Sequence, residues 1–590
     1  MMRQITLSAL LTLGLGLGLH AQNQAPVVDA GSDFSVTVAL PATVTMAGSA
    51  TDDGLPSPPA ALTYAWTKLS GPSVTIANAA NPTTTITFST GGWYHFQLTV
   101  SDGQKTGFDW VKVYVPITFG VVEITTLDDI GTVMGAHTGA TTFLIKAGTR
   151  RGVTITPEAG DTIIGEPETV LLGSTPLTST DFTPSGSVWV LHDITAAPFV
   201  GDGGGNCALD GSWPRCAFPQ DLFWDDHALI HVDSATNLMP GEWYFDTANN
   251  DIYVAADPFG HVLELSDTEY AITGSATGVT IMGVTVRRYA NPAQRGAIGG
   301  SFATPPSGWV VKFCTVEQNH GVGIRVGPAG GVLSNLIQDN GQLGVSVVHG
   351  ANQVVAYNDI VSNHWGGFDA GWEAGATKFW STDDLSAIRN RVFNNKGSGL
   401  WADNNNTGTL FDHNVVVGND GEGIAVEISR TCTVQDNTVA NNGADINAWL
   451  WGSQILIYSS SYCDVHDNQA LVATTGGNGI SIIHSETRGE EWCYSLPGIC
   501  EALNNTVHGN TVTYSGGTPT DGGGKGHSGI VANGEDTSAF WASPHGNVFD
   551  YNTYIYSSNT TLKRFAAHDF WITFTDFQGY GFDTNGDVYP

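Results

Sequence analysis

Two carboxylates hold equivalent places in consecutive repeats of this chain. Asp403 ends the segment Gly399-Leu-Trp-Ala-Asp403, and Glu427 ends Gly423-Ile-Ala-Val-Glu427. If both segments are strands, alternation turns Leu400, Ala402, Ile424 and Val426 inward and Trp401, Asp403 and Glu427 outward. On neighbouring strands the two acids would stand about 5 Å apart in backbone. Like charges directly opposite one another are unfavourable unless they are neutralised or used. A shared proton, a bound cation or a catalytic role would each account for them. The bland alternative is a solvated polar face. The chemistry such a pair can perform is cleavage of a glycosidic bond, one carboxyl as acid and the other as nucleophile or base.

The neighbouring sequence adds candidates. The insertion His364-Trp-Gly-Gly-Phe-Asp-Ala-Gly-Trp-Glu-Ala-Gly-Ala-Thr-Lys-Phe-Trp380 precedes the Asp403 repeat and supplies Glu373, Lys378 and Trp372. Loops set on a rigid scaffold are where sites concentrate. A second insertion, Ala448-Trp-Leu-Trp451, follows the Glu427 repeat and supplies Trp449 and Trp451. Arg325, Ser346 and Ser481 occupy outward positions of the same register. Trp365, Trp372, Trp401, Trp449 and Trp451 are expected to gather around the acidic pair, with Trp401 the most exposed. Indole faces beside carboxylates suit sugar rings, whose C–H faces stack on them. Substrate-binding roles are therefore expected for Trp372, Trp401, Trp449, Trp451 and Arg325.

The elements that must position these groups are repeats. The pattern Asn-x-(Val/Ile)-x-x-Asn begins at Asn335, Asn358, Asn390, Asn414, Asn437 and, in a degenerate copy, Asn468, at steps of 23, 32, 24, 23 and 31 residues. Gly-x-Gly-(Ile/Leu) follows several copies, at Gly321, Gly397, Gly421 and Gly477. The segments are short, β-branched, alternating and bounded by Gly, Asn and Asp, which is strand chemistry. A base period of this length with insertions of about eight residues means a solenoid of strands, with Asn stacking as ladders at its corners. Leu400, Ile424 and Ile480 are expected in one internal ladder. Gly241 to Val254 reads as an inserted hairpin. No helix signal interrupts the strands after residue 121.

Composition bounds the function. The chain is 41% hydrophobic and only 13% charged, with 73 Gly and a net charge of −34. Its 22 Lys and Arg are scattered. Such a chain repels nucleic acid and anionic lipid. Residues 1–21, with Arg3 ahead of an apolar stretch, read as a secretory signal cleaved after Ala21. No other run is long enough for a membrane span. A secreted monomer is expected. Seven Cys fit an oxidising compartment. Cys207 with Cys216, and Cys493 with Cys500, read as loop staples. Cys432 and Cys463 should stack on adjacent turns, bridged or simply laddered, and Cys314 is left over. No Cys spacing indicates zinc.

From Ala25 to Val115 the chain carries Pro26-Val-Val-Asp-Ala-Gly, Tyr64-Ala-Trp and Phe96-Gln-Leu-Thr-Val-Ser-Asp-Gly, in short alternating segments that predict a β-sandwich. This segment resembles the PKD family of immunoglobulin-like domains, which implies a spacer or an adhesion module. Asp29, Asp52 and Asp53 could ligate Ca²⁺ there. Residues 121–590 resemble the pectate-lyase-like superfamily of right-handed parallel β-helix proteins, which implies the fold far more than any activity. The run from Trp372 to Gly452 also resembles a sub-group of secreted bacterial β-helix proteins. Its marks are Trp-Glu-Ala-Gly-x-x-Lys, Gly-Leu-Trp-x-Asp, Glu-Ile-Ser and Trp-Leu-Trp-Gly. Val426 stands where that sub-group often has His, so any role of that His is absent.

The expected architecture is thus all-β: a β-sandwich over 25–115 and a large parallel β-helix over 121–590. Three functional readings compete. A glycoside hydrolase would use Asp403 and Glu427 on a polysaccharide or cell-surface glycan. A polysaccharide lyase would need Lys378 or Arg325 as base and Ca²⁺ to offset a uronate, against which the poverty of basic residues counts. A non-catalytic glycan-binding surface protein is the third. Asp583-Thr-Asn-Gly-Asp587 echoes a calcium loop but lacks the distal acid that would complete it.

Overall fold

The computed structural model describes residues 23–589, apart from 58–60, 195–205, 302, 445, 447–448, 474–475, 486–500, 516–524, 534–536, 543–544 and 557–561. The proposed signal segment and the Cys493–Cys500 pair lie outside the described residues. The chain forms two compact units. The first takes residues up to 125 with the short segments 142–147 and 164–169, and the second takes the rest.

In the first unit, Thr63–Ser70, Gly92–Ser101, Thr106–Val115 and Phe34–Ser35 form one sheet, and Ala42–Ala47, Thr83–Phe88 and Val74–Ile76 form another. Trp66, Phe88, Tyr94 and Phe96 fill the space enclosed by their apolar faces. The acids considered for calcium accept backbone N–H groups in turns. Asp29 accepts from the Gly31 N–H, Asp52 from Gly54, and Asp53 from Gln24 and Leu55.

The second unit is a parallel β-helix. Three long sheets, of thirteen, thirteen and twelve strands, run along the β-helix, and its regular turns give one strand to each. One turn runs Leu400–Asp403, Leu410–Asp412, Val415–Val417, and the next begins at Ile424–Glu427. Inward residues stack in register. Leu400 pairs Ile424, Ile424 pairs Ile455, and Ile455 pairs Ile480, all essentially inaccessible to solvent. The expected internal ladder is therefore present.

The corners explain the Asn spacing. The Asn335 amide donates to Asn358 Oδ1 at 3.0 Å, and the same link runs on through Asn390, Asn414, Asn437, Asn468, Asn510 and Asn552. The second Asn of each motif builds a parallel ladder from Asn319 through Asn340, Asn363, Asn395 and Asn419 to Asn442. Each ladder Asn also donates to a backbone carbonyl of the previous turn, as Asn390 does to Val355 O at 2.8 Å. The residue before each first-ladder Asn is left-handed, with φ of 60° at Ser334, 59° at Tyr357 and 54° at Arg389. That strain is offset by the amide bonds it aims inward. Asp583 ends the first ladder, accepting from the Asn552 N–H and side-chain amide and from the Tyr554 hydroxyl. The calcium-like segment therefore begins with a buried structural acid.

The second Gly of the Gly-x-Gly element is required by close approach. A Cβ on Gly399 would lie 2.5 Å from Gly423 O, and one on Gly423 would lie 2.6 Å from Gln454 O. The hairpin expected after Gly241 forms from Glu242–Asp246 and Asp251–Val254. Short helices break the all-strand expectation at Ile130–Gly135, Ala370–Glu373, Ser538–Ala542 and Phe574–Gly579. At four to six residues each, they are too short to leave a readable periodicity. Cys207–Cys216 and Cys432–Cys463 are disulfides, and Cys314 is a buried thiol outside them. No helix among the described residues is long and apolar enough to cross a membrane.

Candidate active site

The candidates carried by strands lie on the outer face of the twelve-stranded sheet, in two rows. Arg325, Ser346 and Lys378 are backbone partners on consecutive strands and form the first row. Trp380, Asp403, Glu427 and Tyr458 form the second. Asp403 and Glu427 are therefore direct neighbours, as their equal offsets from glycine require. The 364–374 insertion lies over the first row. Its helix Ala370–Glu373 starts at Asp369, whose carboxylate accepts from the Gly371 N–H. His364 sits between the carbonyls of Lys396 and Phe368, each within hydrogen-bond reach of one ring nitrogen.

This cover buries groups that the sequence places on an open platform. Arg325 is wholly buried, with Glu373 Oε2 4.0 Å from its guanidinium. Burial lowers the Arg325 pKa to about 10. Burial also raises the Glu373 carboxyl above its ordinary value, against the pull of Lys378 and Arg325. Lys378 is 2% exposed. Its Nζ lies 2.7 Å from Asp403 Oδ2, donates to Trp372 O at 3.1 Å, and sits 3.1 Å from the centre of the Trp401 ring. The Trp401 indole N–H donates in turn to Glu427 Oε2 at 3.1 Å. Four side chains thus form one chain of contacts: Asp403, Lys378, Trp401, Glu427.

Trp401, expected to be the most exposed indole, is instead 5% exposed. Its ring is held between a buried ammonium and a carboxylate, which costs it the open face a free sugar platform would need. Trp365 also departs from expectation. It packs against Trp213 and Phe223, and its N–H donates to Asp339 O. Trp449 packs against Trp571, with ring centres 4.1 Å apart. Trp451 meets Tyr458 edge-on at 4.6 Å.

Beside these rows opens a cavity of about 620 Å³. Its wall includes Glu427, Trp401, Trp451, Tyr458 and, from the insertion, Ala370 and Gly371. Among the described residues, neither Asp403 nor Lys378 lines it, and neither do Glu373, Arg325, Trp372 and Trp449. Two further acids do, Asp420 and Glu422, with Lys396. Glu422 is 8% exposed. It accepts from the Ser398 hydroxyl at 2.9 Å and from the Gly452 N–H at 3.2 Å. Sequence reasoning missed Glu422 and Tyr458. The available signal was the place of Glu422 inside the Gly421-Glu-Gly element, one turn beyond Ser398. A cavity lined by carboxylates held by fixed donors and by aromatic rings can bind a polyol and move protons on it.

Residues 300–470 match the family described as right handed beta helix region, and residues 30–115 match a PKD domain family. No curated protein sequence matches the chain. Among solved structures, the A-module of the Azotobacter vinelandii mannuronan C-5 epimerase AlgE6 is 13% identical, over 78% of this chain and 93% of its own, with a TM-score of 0.42. The catalytic unit of a GH87 α-1,3-glucanase from Streptomyces thermodiastaticus is 12% identical, over 90% and 85%, with a TM-score of 0.37. The PKD domain of human KIAA0319 is 22% identical, over 18% of this chain and 94% of its own, with a TM-score of 0.14. Likenesses this distant carry nothing about chemistry. The family matches agree with the two architectures described above: the chain joins a PKD domain, matched over residues 30–115, to a right-handed parallel β-helix, matched over residues 300–470.

Proposed function

We propose that this is a secreted enzyme acting on polysaccharide, and specifically a glycoside hydrolase whose reacting carboxylate is Glu427. The observation that carries the reading is the cavity beside the outer face, which Glu427, Glu422, Trp451 and Tyr458 all line. Its volume falls in the ordinary range for ligand sites, roughly 300–1,000 Å³. Hydrolysis needs an acid and a nucleophile or base. Glu427 is assigned the nucleophile or base role, because the Trp401 N–H fixes the orientation of its carboxylate. Glu422 is the second carboxyl available to substrate. Asp403, paired to Lys378 and outside the cavity wall, is assigned a positioning role rather than the catalytic one its register first indicated.

The lyase alternative fits less well. Its proton-abstracting base would be Lys378 or Arg325, and both are buried against carboxylates. The test is product analysis on a panel of neutral, amino-sugar and acidic glycans. New reducing ends support hydrolysis. Unsaturated uronate products absorbing in the ultraviolet would replace it with a lyase. Binding without any product would leave a glycan-binding module.

A further inference from the structure

Resting on the reading of this cavity as a glycan site, we infer that it takes a glycan free of carboxylate groups, and prefers one bearing amino sugars. The charges a ligand can meet decide this. Two cations on this face would suit a uronate, Arg325 and Lys378. Arg325 is wholly buried beside Glu373, and Lys378 is 2% exposed with its Nζ 2.7 Å from Asp403. Both cations thus face acids inside the protein and lie outside the cavity wall.

The groups that do line the cavity have the opposite balance. Asp420, Glu422 and Glu427 face it with Lys396 as the single cation among its described lining residues. The two glutamates are fixed by donors behind them: Ser398 and Gly452 for Glu422, and Trp401 for Glu427. The two bonds to Glu422 use only part of an acceptor-only carboxylate, which keeps lone pairs for a ligand. A uronate entering here meets like charge in a partly water-excluded space, where repulsion is screened less than at a free surface. A neutral hexose meets acceptors for its hydroxyls and the Trp451 and Tyr458 rings for its C–H faces. A glucosamine unit gains those contacts and a charge-assisted hydrogen bond to a carboxylate. The net charge of −34 extends the same preference to the approach of a polymer.

The experiment measures binding of glucosamine, N-acetylglucosamine and uronate oligomers of equal length to the whole protein. Trp401 and Trp451 serve as fluorescence reporters in the cavity wall, and titrations run at low and high salt. The expected result is that the glucosamine oligomer binds about tenfold more tightly than its acetylated counterpart at low salt, an advantage that salt erodes. The uronate oligomer should bind at least about tenfold more weakly than either. Glu422→Gln should narrow the ratio between the glucosamine and acetylated affinities, because only the free amine loses a charge-assisted bond. The salt dependence of the unaltered protein decides the matter if that variant does not fold. Uronate binding equal to or tighter than the others, equal affinity for acetylated and free amine at all salt concentrations, or no binding of any oligomer overturns the inference. Binding in the expected order without turnover would overturn the hydrolase reading and leave this inference standing. Hydrolytic cleavage of a uronate polymer, with no unsaturated product, would do the reverse.

Discussion

The indole N–H of Trp401 points at Glu427 Oε2 across 3.1 Å, while the Lys378 ammonium sits 3.1 Å from the centre of the same ring. One aromatic side chain therefore links a buried ion pair to the carboxylate that meets the cavity. Glu427→Gln should lower turnover of a glycan substrate by at least about a hundredfold with little loss of stability. Trp401→Phe keeps a ring against Lys378 but removes the donor. Without that donor the Glu427 carboxylate loses a bond that fixes its orientation, so kcat should fall by about tenfold or more while folding is retained. An unchanged kcat would show that the bond has no influence on the reaction.

The Lys378–Asp403 pair is nearly sealed from water, with side chains 3% and 13% exposed. Removing one partner leaves a buried uncompensated charge. Asp403→Asn or Lys378→Met alone should cost about 3–5 kcal/mol in urea unfolding, and the double substitution should recover much of it. Additive losses would mean that the two groups are not energetically coupled.

Asp339 supplies a pH signature away from the site. Burial, with Glu317 nearby, raises its carboxyl from the ordinary 3.8 to about 6. The folded state then holds a proton that the unfolded state releases, so stability falls as pH rises between about 3.8 and about 6. Asp339→Asn, at a left-handed position with φ 50° that Asn tolerates, removes this dependence. Its melting temperature should exceed that of the unaltered protein above about pH 6, and the gap should close towards about pH 4. A gap constant across that range would contradict the assignment.

The Asn ladders should behave as structural series. Asn390 receives from the Asn358 N–H and amide and donates to Val355 O and Asn414. Asn390→Ala leaves several buried groups unpaired and should cost about 3 kcal/mol or more. Asn414→Ala and Asn437→Ala should cost similar amounts, because each sits in the same environment one or two turns on. Urea denaturation of the three variants checks this; losses under about 1 kcal/mol would deny the ladder its role.

Deletion of residues 25–115 should leave the β-helix folded, since each unit has its own core. Circular dichroism and turnover of a small soluble glycan are the readouts. A truncated protein that folds but has lost turnover would give the PKD domain a part in the chemistry.

Much of this fold is legible without coordinates, for a physical reason. A solenoid repeats one local environment, so its demands recur at fixed spacing. Asn335, Asn358, Asn390, Asn414 and Asn437 each satisfy the same corner amides, and Gly399 and Gly423 each admit the same neighbouring carbonyl. Equal offsets from those glycines suffice to set Asp403 beside Glu427 and Leu400 beside Ile424. What the repeat does not encode is what lies over its outer face. Segments 364–374 and 449–451 have no periodicity, and their paths depend on contacts distant in sequence. Those paths bury Arg325, give Asp403 to Lys378, sequester Trp401 and leave Glu427 and Glu422 facing the cavity. Cys432 and Cys463 show the same division: the spacing stacks them on adjacent turns, but only their 4.4 Å Cα separation and side-chain directions make them a disulfide. The scaffold, and the register of the acids on it, can be read from the residues alone because both follow from local repetition. Which acid a substrate can reach emerges only on folding, because it depends on the non-repeating chain packed above them.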